Sequence, residues 1–189
     1  MSRLPNDMST ALTGAVQLAR FDATGMRYFD TSIAGFWRSF WAAGLVAPFF
    51  LLLLILRHMD AGSFGAFSHH IIVESLAYAI AWLVFPVVML SLSKSLDCRE
   101  NFVPFIVAYN WCGALQNAVY LPIAILAHAG ALSTGVGNFL ALVAIVWVVT
   151  FTFFVARTAL AVPATTAFGI VALDLIIGIV IDAVTNRFL

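Results

Sequence analysis

The stretch PATTAFGIVALDLIIGIVIDAV, residues 163–184, decides how the chain is read. It is long and apolar enough for a transmembrane helix, yet it carries Asp174 near its middle. Asp174 lies 11 residues beyond Pro163. At 1.5 Å per residue that is roughly 16 Å, close to the centre of a ~30 Å hydrocarbon core. A carboxyl at that depth costs about 2.5–3.5 kcal/mol on insertion scales. A compensating partner is therefore expected inside the membrane.

The rest of the chain supports the membrane reading. Of its 189 residues, 63% are hydrophobic and 10% charged. A soluble domain is about 45–50% apolar and about 25% charged, and a core of this size does not hide so much apolar surface. The formal net charge is zero, so nothing favours binding to nucleic acid. Cys98 and Cys112 form no CxxC and predict neither a disulfide framework nor a zinc knuckle. Residues 1–32 contain no continuous apolar core of a cleavable signal peptide, so the first span is expected to direct insertion.

Working outward, four more apolar stretches appear. Arg38 and Arg57 bracket eighteen uncharged residues, 39–56, enough for about 27 Å of helix. Phe36, Trp37, Phe40 and Trp41 make an aromatic belt at its start, Asp30, Thr31 and Ser32 are cap candidates, and Pro48 should kink it. Further spans are expected at about 70–92, 102–126 and 138–156, with the last at 163–184. Before them, Met8, Leu12, Ala15, Val16 and Ala19 recur at helical spacing. This short amphipathic helix is expected to lie along the membrane surface; the alternative is packing against the rest of the chain. The expectation is an all-α polytopic membrane protein: a 1–38 N-terminal segment, then a five-helix membrane domain over 39–189.

Charge orients it. Arg3, Arg20, Arg27, Arg38, Lys94, Arg99 and Arg157 fall on one side of the five spans, and only Arg57 and Arg187 on the other. By the positive-inside rule the N-terminus is cytoplasmic and the C-terminus outside. A bacterial cytoplasmic (inner) membrane is the expected location.

Two constellations offer chemistry. In the third span Asn110, Gly113, Asn117 and Tyr120 follow helical spacing, and Tyr109, Cys112 and Gln116 make the adjacent stripe. Counted inward from the same side, Asn110 and Asn117 bracket the depth of Asp174. A hydrogen bond to Asp174 from Asn110, Gln116 or Asn117 is expected. Such bonds act as helix glue, each contributing about 0.6–2 kcal/mol, or mark a protonatable site on a permeation path. The second constellation is at the outer surface: His58, His69, His70 and His128, with Asp60, Glu74 and Asp182. Imidazole and carboxylate suit a divalent metal, and His69, His70, Glu74 and His128 are the candidates. Their spacings match no metal signature, and capping of helix ends explains them without a metal. No opposed mid-membrane histidines suggest haem, so no cofactor is expected. Gly169 and Gly178, with Ala172, let the last span pack closely on a neighbour.

The segments Arg99-Glu-Asn-Phe-Val-Pro-Phe-Ile-Val-Ala-Tyr109, Trp147 and Ala156-Arg-Thr-Ala159, with the span count, resemble the Yip1-domain superfamily. That resemblance covers roughly the second half of the chain. It implies five spans, a cytoplasmic N-terminus and an outward C-terminus. Eukaryotic members bind small GTPases in vesicle traffic, but their long polar N-terminal domain and Asp-Leu-Tyr-Gly-Pro type motif are absent here. The resemblance therefore carries over no functional residue. The sequence contains no nucleophile elbow, P-loop or dinucleotide fingerprint. A non-enzymatic accessory or scaffold protein is expected, surrounded by membrane lipids and joined to a membrane-protein partner or to itself. The alternatives are a small permease or lipid-handling protein using Asp174, and an outer-face metal-dependent membrane enzyme.

Overall fold

The computed structural model describes residues 4–59 and 63–189, with side chains from residue 8 onward; Arg3 and Asp60 lie outside the described residues. Every regular element among them is helical. The α-helices are α1 (Leu4–Ala19), α2 (Ile33–Ser39), α3 (Trp41–His58), α4 (Phe64–Ser95), α5 (Phe102–His128), α6 (Thr134–Leu160) and α7 (Ala164–Thr185). Short 3-10 turns at Ala23–Tyr28 and Arg99–Asn101 join α1 to α2 and α4 to α5.

Four segments are long and apolar enough to cross a membrane: Ile33–His58, Phe64–Ser95, Thr134–Leu160 and Ala164–Thr185. The helix α5 has the length, 27 residues, but is not among them. Its polar side chains dilute its hydropathy. It packs on α3 and α6, while α4 packs on α3 and α7, and α7 on α6, so the five long helices close a ring. Contacts at Asn101–Leu160, Gln116–Thr152 and Ala127–Gly137 run the whole length of the α5–α6 pair.

The helices outrun their expected bounds. Ser63 caps α4 through the backbone N–H of Ala66, so this helix begins well before residue 70. Ser32, one of three cap candidates, accepts from the Gly35 N–H at 3.0 Å. The expected single first helix is broken at Phe40. There the Ser39 hydroxyl donates to the Phe36 carbonyl at 2.7 Å and competes with the helical ladder. Pro48 leaves the Gly44 carbonyl without its helical donor, and the Tyr78 hydroxyl of α4 donates to the adjacent Ala43 carbonyl at 2.6 Å. The last turn of α6 stops at Ala161, which adopts a left-handed φ of 54°, and Pro163 prevents continuation.

The buried core sits at one end of the ring. Phe85 and Met89 of α4, Phe105 and Ile106 of α5, Phe151 and Val155 of α6, and Ile170 of α7 are all buried. Towards the other end the outward faces are apolar and open, with Ile72, Leu76, Leu142, Ile145, Ile176 and Ile179 exposed. A face of that size is intolerable in water and ordinary in lipid.

The amphipathic α1 is not spread on a surface by its apolar face. Ala11, Ala15 and Leu18 are buried, and the helix packs on α5 and α6. Two glycines allow the chain to fold back so tightly. A Cβ on Gly25 would meet the Gly14 carbonyl oxygen at 2.6 Å, and one on Gly14 would meet the Gly25 carbonyl oxygen at 2.9 Å. Much of its apolar stripe is turned to protein, while Val16 stays 38% exposed, and of the α-helices α1 packs chiefly on α5.

Candidate polar site at the central helix

Tyr109 is the residue of α5 that reaches Asp174. Its hydroxyl donates to Asp174 Oδ1 at 2.8 Å. The ring is gripped by Phe85 at 4.6 Å and Phe105 at 5.8 Å between centroids, which fixes the direction of the hydroxyl. The expected donors to Asp174 were Asn110, Gln116 and Asn117, and none of them makes the bond. Asn110 is fully buried and turns to the first span, where its Nδ2 donates to Ser39 Oγ at 2.8 Å. Gln116 Nε2 donates to Thr152 Oγ1 of α6 at 3.0 Å. Asn117 Nδ2 donates to the Gly113 carbonyl of its own helix at 2.9 Å. Tyr120 is half-buried and packs against the core.

The error has a geometric cause. Helical spacing located a polar stripe but did not say which side of α5 faces α7. Tyr109, in the flanking stripe, faces it. The stripe instead fans out: Tyr109 to α7, Asn110 to Ser39 beside α3, Gln116 to α6. Ser39 and Thr152, which complete these bonds, carried no signal in the sequence beyond being small hydroxyls in apolar runs.

Tyr109 holds Asp174, and the next residue, Asn110, holds Ser39, the neighbour of Arg38. Asn101 ties together the layer at the start of α5 and the end of α6 by donating to the Leu160 carbonyl at 3.0 Å. Among the described residues no cation pairs with Asp174, and Arg157 forms no ion pair with Asp97 or Glu100. Cys98 is buried in the same layer, and burial pushes its thiol up from the usual range.

At the opposite end the histidines divide. His58 Nε2 lies 2.5 Å from Glu74 Oε1, with Arg57 3.8 Å from the other carboxylate oxygen. His70 stacks on His58 at 4.4 Å and donates through Nδ1 to the Ala66 carbonyl at 2.5 Å. His69 donates to the Phe188 carbonyl at 2.6 Å, holding the C-terminal end against α4. His128 stands apart, beside Ser133 and Asn138 in the α5–α6 turn. The four metal candidates thus do not converge, and among the described residues no three His, Cys, Asp or Glu side chains are placed to share an ion. His58 was outside the candidate set, yet it is the residue that Glu74 engages.

The fold and this site define an all-helical protein with four helices fit to cross a membrane, the make-up of an integral membrane protein, tied together by polar bonds from its central helix. Set against family models, curated proteins and solved structures, the chain matches none of them.

Proposed function

We propose that this chain is a non-enzymatic, five-span accessory or scaffold protein of a bacterial cytoplasmic membrane, with its N-terminus cytoplasmic and its C-terminus outside. The observation that carries the interaction reading is on α7. Gly169 and Gly178 have nothing within 4 Å of a would-be Cβ. The close approach that these glycines permit is thus not used by a helix of the same chain and is open to a helix of another molecule. The polar bonds point the same way. Tyr109, Asn110 and Gln116 each donate a hydrogen bond to a neighbouring helix, and the buried Asn110 Oδ1 has no partner among the described residues, which supports reading Asp174 as part of the packing. The fifth span is supported by α5 lying along α6 for its full length between the same two ends. The Yip1-domain resemblance is retained as a proposal on its quoted segments.

The test is gentle extraction from native membranes followed by native mass measurement. A fixed-ratio complex with another membrane protein, or a homo-oligomer, is the expected result; a lone protomer at all concentrations overturns the reading. A second reading, a small permease or lipid-handling protein, is favoured by one observation: among the described residues Asp174 has one hydrogen-bond partner, Tyr109, and no cation. For that reading, proton-coupled flux in liposomes would vanish in Asp174→Asn; for the accessory reading the substitution is silent.

A further inference from the structure

Between the middle turns of α3 and α5 lies a hollow of about 250 Å³. Leu45 and Phe49 of α3 stand on one side, Ala114, Ala118 and Pro122 of α5 on the other, and Asn117 borders it. The two alanines leave the space, since a larger side chain at either position would occupy it. Leu45 and Phe49 are 46% and 55% exposed, so the hollow opens sideways, towards lipid in a membrane.

The lining is apolar apart from hydrogen-bonding groups contributed by α5. Asn117 Nδ2 donates to the Gly113 carbonyl at 2.9 Å. A carbonyl only accepts, so the amide nitrogen has to be the atom on that side, and Oδ1 is turned away from Gly113. Among the described residues nothing donates to Oδ1. Pro122 supplies a second acceptor. It has no N–H, and so it leaves the Ala118 carbonyl without its helical donor. Acceptors of this kind are costly in hydrocarbon, where no water completes them.

We propose that the hollow is a binding site for a hydroxyarene dissolved in the membrane, the ring of a quinol carried on an apolar tail. A ring hydroxyl donates to Asn117 Oδ1, the Ala118 carbonyl is the second acceptor, and the ring lies over Ala114 and Ala118 beside Phe49. The inference rests on α5 crossing the membrane, as in the five-span reading. It does not rest on any role of Asp174 or on the accessory reading.

Depth selects the ligand first. Along α5, Asn117 is roughly 22 Å from Phe102 and roughly 16 Å from His128. In a hydrocarbon core of about 30 Å that position is well inside. The donors of phospholipid headgroups stay at the interface, out of reach. The donor therefore belongs to a molecule that resides in the hydrocarbon itself. Size selects next. An apolar cavity of about 150 Å³ holds one benzene, so this hollow has room for a ring with its substituents. From Ala114 to Pro122 is about 12 Å of helix, long enough for such a ring and too short for a second crossing helix. An acyl chain would fill the space but donate nothing. Phe49 adds an aromatic surface for the ring to pack on.

The test uses the full chain in phosphatidylcholine nanodiscs with decylubiquinol, kept reduced, or with its dimethyl ether. The ether has the same ring and tail but no hydroxyl hydrogen to give. After release into native mass spectrometry, one quinol per protomer is expected, retained about tenfold more than the ether. Asn117→Leu keeps the bulk and removes the acceptor, and the preference should vanish. Ala118→Phe fills the hollow, and quinol retention should fall by about tenfold with helicity unchanged. Equal retention of quinol and ether by the natural chain, or retention of neither, overturns the proposal, and that comparison depends on no variant folding. So does a preference that survives Asn117→Leu, undiminished retention in Ala118→Phe, or a ligand-free dimer that Ala118→Phe dissociates. A partner protein adds many kilodaltons and a quinol a fraction of one, and labelling of the two termini reports the crossing of α5 separately. Failure here is therefore separable from failure of the accessory and five-span readings.

Discussion

Tyr109→Phe and Asp174→Asn test the same hydrogen bond from opposite ends and should differ. The asparagine keeps an acceptor oxygen where Oδ1 stood, so the Tyr109 hydroxyl retains its partner. The phenylalanine removes the donor and leaves the carboxyl alone among apolar side chains. A loss of about 0.6–2 kcal/mol is expected for Tyr109→Phe and near zero for Asp174→Asn, read as unfolding free energy in a fixed detergent. Asp30 offers a pH-dependent counterpart. Hydrogen bonds from Ser32, then the Arg38 guanidinium, hold its carboxyl below the ordinary carboxylate range. A carboxyl with its folded pKa below its unfolded one stabilises the fold above the unfolded value, about 3.9, and that contribution is lost as pH falls through the folded value. Proteolysis within residues 20–40 should therefore rise at about pH 3 relative to about pH 6. At this scale the sequence was half legible. A carboxyl in an apolar run announces itself, but its partner is separated by the whole of two loops and a helix. Which face of α5 meets α7 is a packing fact that no spacing encodes.

Among the elements, α1 was legible as a helix because its apolar residues repeat with the helical period, but the period is indifferent to what covers that face. The deciding pair is Gly14 and Gly25, whose backbones touch. Gly25→Val would force α1 away from the following 3-10 turn. Overpacking of this kind costs about 1–3 kcal/mol. Protease access to the N-terminal segment should increase, while α5 to α7 keep their protection. The break at Phe40 was hidden for a different reason. Aromatic residues run through it without a Gly or Pro to mark it, and Ser39, whose hydroxyl bonds back to the Phe36 carbonyl beside it, is indistinguishable in sequence from any serine in a span.

For the whole molecule, hydropathy made the apolar helices plain, and α5 is where hydropathy and packing diverge. The count can be settled by parity. With five crossings the termini lie on opposite sides, and with four they share one. Impermeant labelling of single cysteines at positions 10 and 187, with Cys98 and Cys112 replaced, should modify only position 187 from outside intact cells. Labelling of both or neither would mean that α5 does not cross. The ring arrangement itself was beyond reach of the sequence. Short loops dictate that successive helices are antiparallel, yet α3 beside α5 and α4 beside α7 are set by which faces carry small and polar side chains.

The position of α5 bears on how the protein is made. On the five-span reading, this helix carries Asn110, Gln116 and Asn117 into the membrane, and of the two helices that flank it α3 has already left the ribosome while α6 has not. The Gln116–Thr152 bond and the long α5–α6 seam form only after residue 152 has been synthesised. The two helices are therefore expected to leave the translocon together as a hairpin. A nascent chain ending near residue 133 would keep α5 within crosslinking distance of the translocon, whereas one extended through α6 would release it.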